Sequence, residues 1–340
     1  MIDYERLQSA YERETFYSLQ LEIGDECQQG CLYCYMNAVE HGENTLSDEQ
    51  IGRILCDAHA LGVAAIEWLG GEPLLRTSIF EHMAFASSLG MRNNVWTGGL
   101  PLAEDGILRQ TVEWAQDGLI SVHVSTVDPD VYQRLHPTRS PDDLAAILDA
   151  AEATLDLGYP ASQMLNSVTF TGLQTADDMI HTIDYFEHRF GVKTSLNVYH
   201  TYLRPGTPAG ELERFIPSPD AVARVYARYT RQWGVERLPM NCVNKQYCAT
   251  TLAVLCDGSV TPCATIREKD APNLHTDGAL FDVATRIRDH LTIKPFRKRE
   301  NLPQDCQRCK MSEQCFGCRS RAYAAGRGLY GKDPRCFRRA

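Results

Sequence analysis

Three cysteines crowd into the run Cys27-Gln-Gln-Gly-Cys31-Leu-Tyr-Cys34, near the start of this 340-residue chain. The C-x3-C-x2-C spacing puts three thiols on one short loop, directly after a strand-like segment, Ser18–Ile23. Three thiolates on one loop can hold three corners of an iron–sulfur cube and leave the fourth iron open to a small ligand. Cysteine-rich loops with short spacers are the usual cradle of such clusters.

The loop belongs to an alternation of strand and helix signals that fills the first 200 residues. Ser47-Asp-Glu-Gln50 reads as a capping box, followed by Ile51, Ile54, Leu55 and Ala58 at helical spacing and Gly62 as a stop. Val63–Leu69 reads as a buried strand that ends at Gly70-Gly71-Glu72-Pro73. Asn94–Thr97 and Leu119–Ser125 are further strands. Ser140-Pro141 opens a helix with its cap and first-turn proline in order. Leu144, Ile147, Leu148, Ala151 and Leu155 form its apolar face, and Gly158 closes it. Met164–Phe170 and Thr194–Tyr199 bring the strands to about six. Repeated β-α units imply parallel strands. Such sheets curl into full or partial barrels, with the chemistry at the carboxyl ends of the strands. The expected class is α/β, a partial (β/α)6 TIM-like barrel. After a break at Arg204-Pro-Gly-Thr-Pro208, Ser218-Pro219 opens one more helix, running to about Trp233. Beyond Pro239 the chain breaks into short pieces with frequent Cys, Gly and Pro. A boundary near 235 is expected, with the barrel in residues 1–235 and a cysteine-rich unit in residues 236–340.

Thirteen cysteines in a chain without a secretory signal suggest metal sites or catalytic thiols rather than a disulfide framework. The first 20 residues carry charges throughout and have no apolar signal core. No apolar run reaches membrane-spanning length, so a cytoplasmic location and no membrane partner are expected. A net charge of −10 argues against general affinity for nucleic acid. The last stretch is nevertheless basic, with Arg297, Lys298, Arg299, Arg319, Arg321, Arg327, Lys332, Arg335, Arg338 and Arg339. A nucleic-acid patch is one reading. Cations that offset anionic thiolate sites is the other, favoured because they interleave with cysteines.

The loop Cys27-x3-Cys31-x2-Cys34, with the aromatic Tyr33 before its last cysteine, resembles the radical S-adenosylmethionine (SAM) superfamily. Gly70-Gly71-Glu72-Pro73, at the end of the next strand, is a second match. The resemblance implies a [4Fe–4S] cluster on the three cysteines, with SAM chelating the open iron through its amino and carboxylate groups. It implies that Gly70, Gly71, Glu72 and Pro73 meet the SAM amino group and that Tyr33 lies near the adenine. Glycines let a backbone approach an ammonium closely. One-electron reduction would then split SAM into methionine and a 5′-deoxyadenosyl radical that removes hydrogen from substrate, with the protein positioning the cofactor. Ser125 and Asn166 fall where relatives often contact SAM, and Arg139 or Arg134 could pair its carboxylate. A capped or solvated polar residue is the plain alternative for each. Many relatives carry Thr-Asn-Gly after the third strand; here it is Thr97-Gly98-Gly99.

The tail resembles the SPASM extension of many such enzymes. Cys248-x9-Gly258-x4-Cys263 continues as Cys306-x2-Cys309-x5-Cys315-x2-Cys318 and ends at Cys336, and Cys242 supplies an eighth thiolate. The resemblance implies two auxiliary [4Fe–4S] clusters, three in all. Cys242, Cys248, Cys263 and Cys318 would hold one; Cys306, Cys309, Cys315 and Cys336 the other. Asp257-Gly258 reads as a two-residue hairpin turn that sets Cys263 opposite Leu252. Cys256 and Cys56 read as small buried hydrophobes. Zinc is the rival metal for C-x2-C pairs; beside a radical SAM core, iron–sulfur is favoured.

The resemblance implies an oxidoreductase served by a flavodoxin- or ferredoxin-type electron donor. Its substrate would be a ribosomally made peptide or protein, modified oxidatively, or else a small molecule such as a cofactor precursor, a tetrapyrrole or an aminocyclitol-type natural product. Sulfatase-maturing relatives place an Asp after the cysteine matching Cys263; Ala264 stands there, so that activity is not assigned. The cluster loop starts at residue 27, which leaves no room for a preceding leader-binding module, so a peptide would need direct recognition or a separate leader-binding protein. Tyr199, His200, Tyr202 and Arg204, at the last barrel strand, are candidate acids, bases or anchors. For His200 a satisfied surface histidine is the plainer reading, and His123 reads as mid-strand barrel core. A non-catalytic electron carrier is a third class, which the SAM motifs oppose.

Overall fold

The computed structural model describes residues 2–200, 208–240, 242–291 and 297–338. After helix α1 (Tyr4–Glu12), the chain alternates β1 (Ser18–Glu22), α2 (Asp48–Ala60), β2 (Ala65–Leu69), α3 (Ile79–Ser88), β3 (Arg92–Thr97), α4 (Asp105–Trp114) and β4 (Leu119–Val122). Two helices follow, α5 (Pro129–Leu135) and α6 (Pro141–Asp156), then β5 (Met164–Phe170), α7 (Ala176–Phe190), β6 (Lys193–Val198) and α8 (Pro219–Gln232). Local chemistry fixes many of these boundaries. Ser47 and Ser140 close capping boxes with Gln50 and Asp143, each cap stabilising its helix by about 1 kcal/mol. Gly62 and Gly158, at φ +84° and +87°, follow α2 and α6 in the left-handed conformation that glycine adopts without strain.

Strands β1 to β6 pair in sequence order, and every pairing is parallel. This is the expected partial (β/α)6 barrel. The amphipathic helices cover it: Ile51, Ile54, Leu55 and Ala58 of α2 and Leu144, Ile147 and Ala151 of α6 are buried in one core with Leu19, Leu21, Ile66, Trp68 and Val95.

The sheet continues past the position where a boundary is expected. Beyond α9 (Lys245–Ala249) the tail contributes β7 (Thr251–Val254), parallel to the outer side of β1, and β8 (Val260–Thr261), antiparallel to β7. Side chains reinforce the joint. Tyr247 donates to the buried Glu67 carboxylate, which also accepts from Asn94 (2.7 Å) and Trp96 (2.5 Å). Arg267 forms an ion pair with the fully buried Glu22 at 2.8 Å.

Two sequence expectations need correction. The β7–β8 register pairs Ala253 with Thr261 and Val254 with Val260, one residue away from the pairing that sets Cys263 opposite Leu252. Leu255 closes the turn by donating to Ser259 O (2.8 Å), and Gly258 sits at φ +84°. The connection is thus a three-residue loop with its left-handed glycine last, the alternative to a two-residue turn. Cys56 is exposed, because it lies outside the stripe that α2 buries. Among the described residues no helix is long and apolar enough to cross a membrane.

Candidate active site and thiol clusters

The site gathers at the carboxyl ends of the strands. The loop after β1 folds back on itself at Val39, pinned by Cys27 N–H to Val39 O (2.7 Å) and Val39 N–H to Asp25 O (3.0 Å). Gly71 N–H donates to Gly24 O (2.9 Å) and Glu72 N–H to Glu26 O (2.7 Å), so the segment after β2 lies flat against the cysteine loop. A Cβ at Gly71 would stand 2.1 Å from Glu26 O and 2.7 Å from Asp25 O. The backbone cannot yield there, so Gly71→Ala should pry the two loops apart, at a cost of a few kcal/mol by analogy with overpacked cores. Iron analysis of that variant should show loss from the Cys27 loop with retention in the tail.

Gln29, which sequence reasoning missed, ties the loop to its other neighbours. It donates to Gly98 O (2.6 Å) and accepts from the Tyr132 hydroxyl (3.0 Å). Glu72 is buried, and its carboxylate is engaged locally, accepting from Leu74 N–H (3.1 Å), Gly98 N–H (2.6 Å) and Thr97 Oγ1 (2.9 Å). Burial pushes its pKa up to about 7 against those hydrogen bonds. Glu72 and the Thr97-Gly98 turn therefore brace each other. Pro73 begins a short 3-10 turn behind them.

Tyr33 is buried, and its hydroxyl meets three side chains: His123 Nε2 (3.1 Å), Ser125 Oγ (3.1 Å) and His136 Nε2 (3.2 Å). Ser125 Oγ also accepts from Thr169 N–H (3.0 Å). Asn166 mimics a backbone unit, accepting from Val124 N–H and donating to Val124 O, both at 3.0 Å. This clasp holds the segment after β4. His123 thus lies past the end of β4, in the site, and not mid-strand as the sequence suggests. Ser121, His123 and Ser125 alternate in the sequence, and that was the available signal. Tyr199 is buried in the same apolar pocket as Tyr33, with Val131, Leu135 and Phe215, and burial pushes its hydroxyl up to about 12. Arg139 is half-buried beside the loop, with long contacts to Glu40 (3.7 Å) and Asp143 (4.0 Å), and its buried Nε has no hydrogen-bond partner among the described residues. Arg134 is exposed. Tyr202 and Arg204 lie outside the described residues.

Three histidines, the buried His136 and the half-buried His123 and His200, are held neutral. Burial lowers His123 and His136 to about 4 and His200 to about 3. Depressed folded pKa values give stability that is present above the unfolded value near 6.5 and lost as pH falls toward 4. We expect the melting temperature to drop steeply between pH 6.5 and 4.5. His136→Gln, which removes one titrating ring, should flatten that slope.

The resemblance sorts the tail thiols into two sets. Burial raises the Cys242 thiol, and so do the charges of Cys318, Cys263 and Cys248 beside it. Cys306 feels Cys315 and Cys309, Cys336 feels Cys315 and Cys306, and Cys248 of the first set also feels Cys315 of the second. His200, at the end of β6, reaches the first set, with Nε2 3.7 Å from Cys318 Sγ. Three of the basic residues are buried among these thiols. Arg297 donates to Cys248 O and, at 3.1 Å, to Pro262 O. Arg321 forms an ion pair with Asp333 at 2.7 Å, both 1% exposed. Arg319 is the third. Cys256 stands apart, beside Glu22, and burial raises its thiol to about 12.

Among the described residues no three Cys, His, Asp or Glu side chains close on a point as for a single metal ion. The fit to four-iron cubes rests on donor chemistry instead. Three thiols share one loop, Gln29 N–H faces Cys27 Sγ at 3.4 Å, and one buried N–H-bearing nitrogen each of Arg139 (Nε) and Arg319 (Nη2) has no hydrogen-bond partner among the described residues.

A parallel, open barrel with three thiols at its first strand end and a glycine-rich turn at its second defines a cluster-dependent class. Residues 21–186 match the radical SAM superfamily, a family that implies a [4Fe–4S] cluster and SAM. The probable GTP 3′,8-cyclase of Methanopyrus kandleri is 33% identical over 161 residues, 46% of this chain and 50% of that protein. That of Methanothermobacter marburgensis is 28% identical over 274 residues, covering 74% and 85%. The chain spans about half the length of the first curated relatives it matches. Among solved structures, Streptococcus suis SuiB bound to S-adenosylmethionine has a TM-score of 0.67 at 16% identity, covering 98% of this chain and 80% of SuiB. Native anSMEcpe with bound AdoMet has a TM-score of 0.65 at 17% identity, covering 89% of each. These likenesses are of fold.

Proposed function

We propose that the chain is a radical SAM oxidoreductase with two auxiliary clusters in a SPASM-type tail, acting oxidatively on a ribosomally made peptide or protein. The observation that carries the chemistry is the clasp between the cysteine loop and Gly71, where only a residue without a side chain fits. Cys27, Cys31 and Cys34 hold the first cluster, and Cys242 with Cys248, Cys263 and Cys318, and Cys306 with Cys309, Cys315 and Cys336, hold the others. When bound, cluster and SAM together supply one-electron cleavage of the sulfonium and hydrogen removal from substrate. The chain's own residues set the stage. Gly70 and Gly71 bring backbone close to an ammonium, the spare Arg139 Nε–H suits a carboxylate, and Tyr33, locked by two neutral histidines, walls the pocket. The buried Tyr199 and Phe215 help to exclude water.

A peptide substrate is supported by the likeness in fold, tail included, to SuiB, whose solved structures include one bound to the precursor peptide SuiA, and to anSMEcpe with a bound peptide. A small molecule is the second reading, favoured by the curated relatives named as probable GTP 3′,8-cyclases. Anaerobic analysis should find about twelve irons per chain, from three four-iron clusters. Incubation with a one-electron reductant should consume SAM and release 5′-deoxyadenosine. A peptide substrate should accelerate that release and leave a product two electrons more oxidised; acceleration by GTP alone, or a redox-neutral product, would overturn the peptide-oxidation reading.

A further inference from the structure

Arg319 follows Cys318 directly and is 4% exposed. Its guanidinium is clamped by neutral carbonyls: Nε donates to Gly317 O (3.2 Å), and Nη1 to Leu329 O (3.0 Å) and Gly331 O (2.8 Å). Its Nη2 is buried and has no hydrogen-bond partner among the described residues. Gly317, at φ +65°, makes room for it, since a Cβ there would stand 2.7 Å from Nη2. An unmet buried N–H costs about 1–3 kcal/mol, and a buried cation costs more unless negative charge lies close.

The surroundings say where that charge would come from. Cys248, of one thiol set, and Cys306, of the other, pack against the same apolar group of Ala249, Leu302 and Phe316. The two sets therefore adjoin. Gly317, which Nη2 crowds, donates its N–H toward Cys315 Sγ at 3.2 Å, and Cys318 stands between Gly317 and Arg319 in the chain. One clamped guanidinium thus stands beside residues that carry a thiol of either set.

We propose that Arg319 is the shared cation of the two auxiliary clusters, its Nη2 donating toward their sulfur and its charge raising the reduction potential of both. The proposal rests on reading the tail as two four-iron sites. Cluster potentials respond to net charge and to hydrogen bonds on sulfur. Two adjoining anionic clusters also repel added electrons, and a cation near both relieves each.

The test is an anaerobic redox titration of the loaded full chain followed by electron paramagnetic resonance. Wild-type iron content reports on the two-cluster reading by itself. Arg319→Met should lower the midpoint of both auxiliary clusters, so that the reduced-to-oxidised ratio at fixed poise falls about tenfold, ~59 mV for one electron. The cluster on the Cys27 loop should not shift. Arg319→Lys should restore much of the shift, and Lys310→Met, which removes an exposed tail cation, should move neither midpoint. Full loading of Arg319→Met at wild-type midpoints, or movement of one midpoint only, would overturn the proposal. If Arg319→Met does not load, Arg319→Lys decides: loading at near-native midpoints supports the role of charge. Failure of both variants in a folded chain makes the residue a brace and overturns it.

Discussion

Replacing Cys27, Cys31 or Cys34 by alanine should abolish reductive cleavage of SAM while the tail keeps its iron. The loop offers three thiols, with Gln29 N–H directed at one of them. Removing one leaves two anchors for a cube whose open iron must also take a ligand. Cleavage should fall to the uncatalysed background, several orders of magnitude in rate by the usual scale of enzymatic acceleration. Iron should fall by about four per chain, one cluster's worth. The measurements are 5′-deoxyadenosine release and iron content on the same preparation. A variant that lost cleavage together with all its iron would point to collapse of the fold, and one that kept cleavage would remove the cluster from this loop.

Asp333→Ala should be the most damaging single substitution away from the thiols. Asp333 accepts from Arg321 and also from Cys318 N–H and Arg335 N–H, each at 3.0 Å. Arg321 holds its carboxyl below the usual range despite burial. Removing one partner of a buried pair leaves an uncompensated charge and costs about 3–5 kcal/mol. It also frees the backbone N–H groups of Cys318 and Arg335. The denaturation midpoint should drop accordingly, and iron should be lost first from the set containing Cys242 and Cys318. Asp333→Asn, which keeps a hydrogen-bond acceptor, should lose less.

What was legible in the sequence was local. Ser47 and Ser140 announce their helices because each cap bonds a residue three positions away. The six barrel strands could be read because each sets apolar or β-branched residues in a short stretch that a loop ends. Failures arose where a distant or ambiguous partner decided the outcome. The segment Leu119–Ser125 reads as one strand, yet the ladder ends at Val122 because the Asn166 side chain takes over the hydrogen bonds of Val124. That substitution frees His123 to turn toward Tyr33. Asp257-Gly258 fits either of two loop lengths, and one residue of register depends on the choice. Cys56 was misread by residue type, although the buried stripe of its own helix already placed it outward. The union of the tail with β1 had no local sign at all.

That union has a consequence for synthesis on the ribosome. β1 is paired on one side by residues 65–69 and on the other by residues 251–254. Between the emergence of Glu22 and of Thr251 the ribosome must add well over two hundred residues, roughly 10–50 s at about 5–20 residues per second. For that interval the nascent barrel carries an open, hydrogen-bonding flank beside the cysteine loop, the kind of edge that recruits other chains. Cells making this protein must shield that flank or outpace its aggregation, and expression systems with slow elongation should yield more insoluble product.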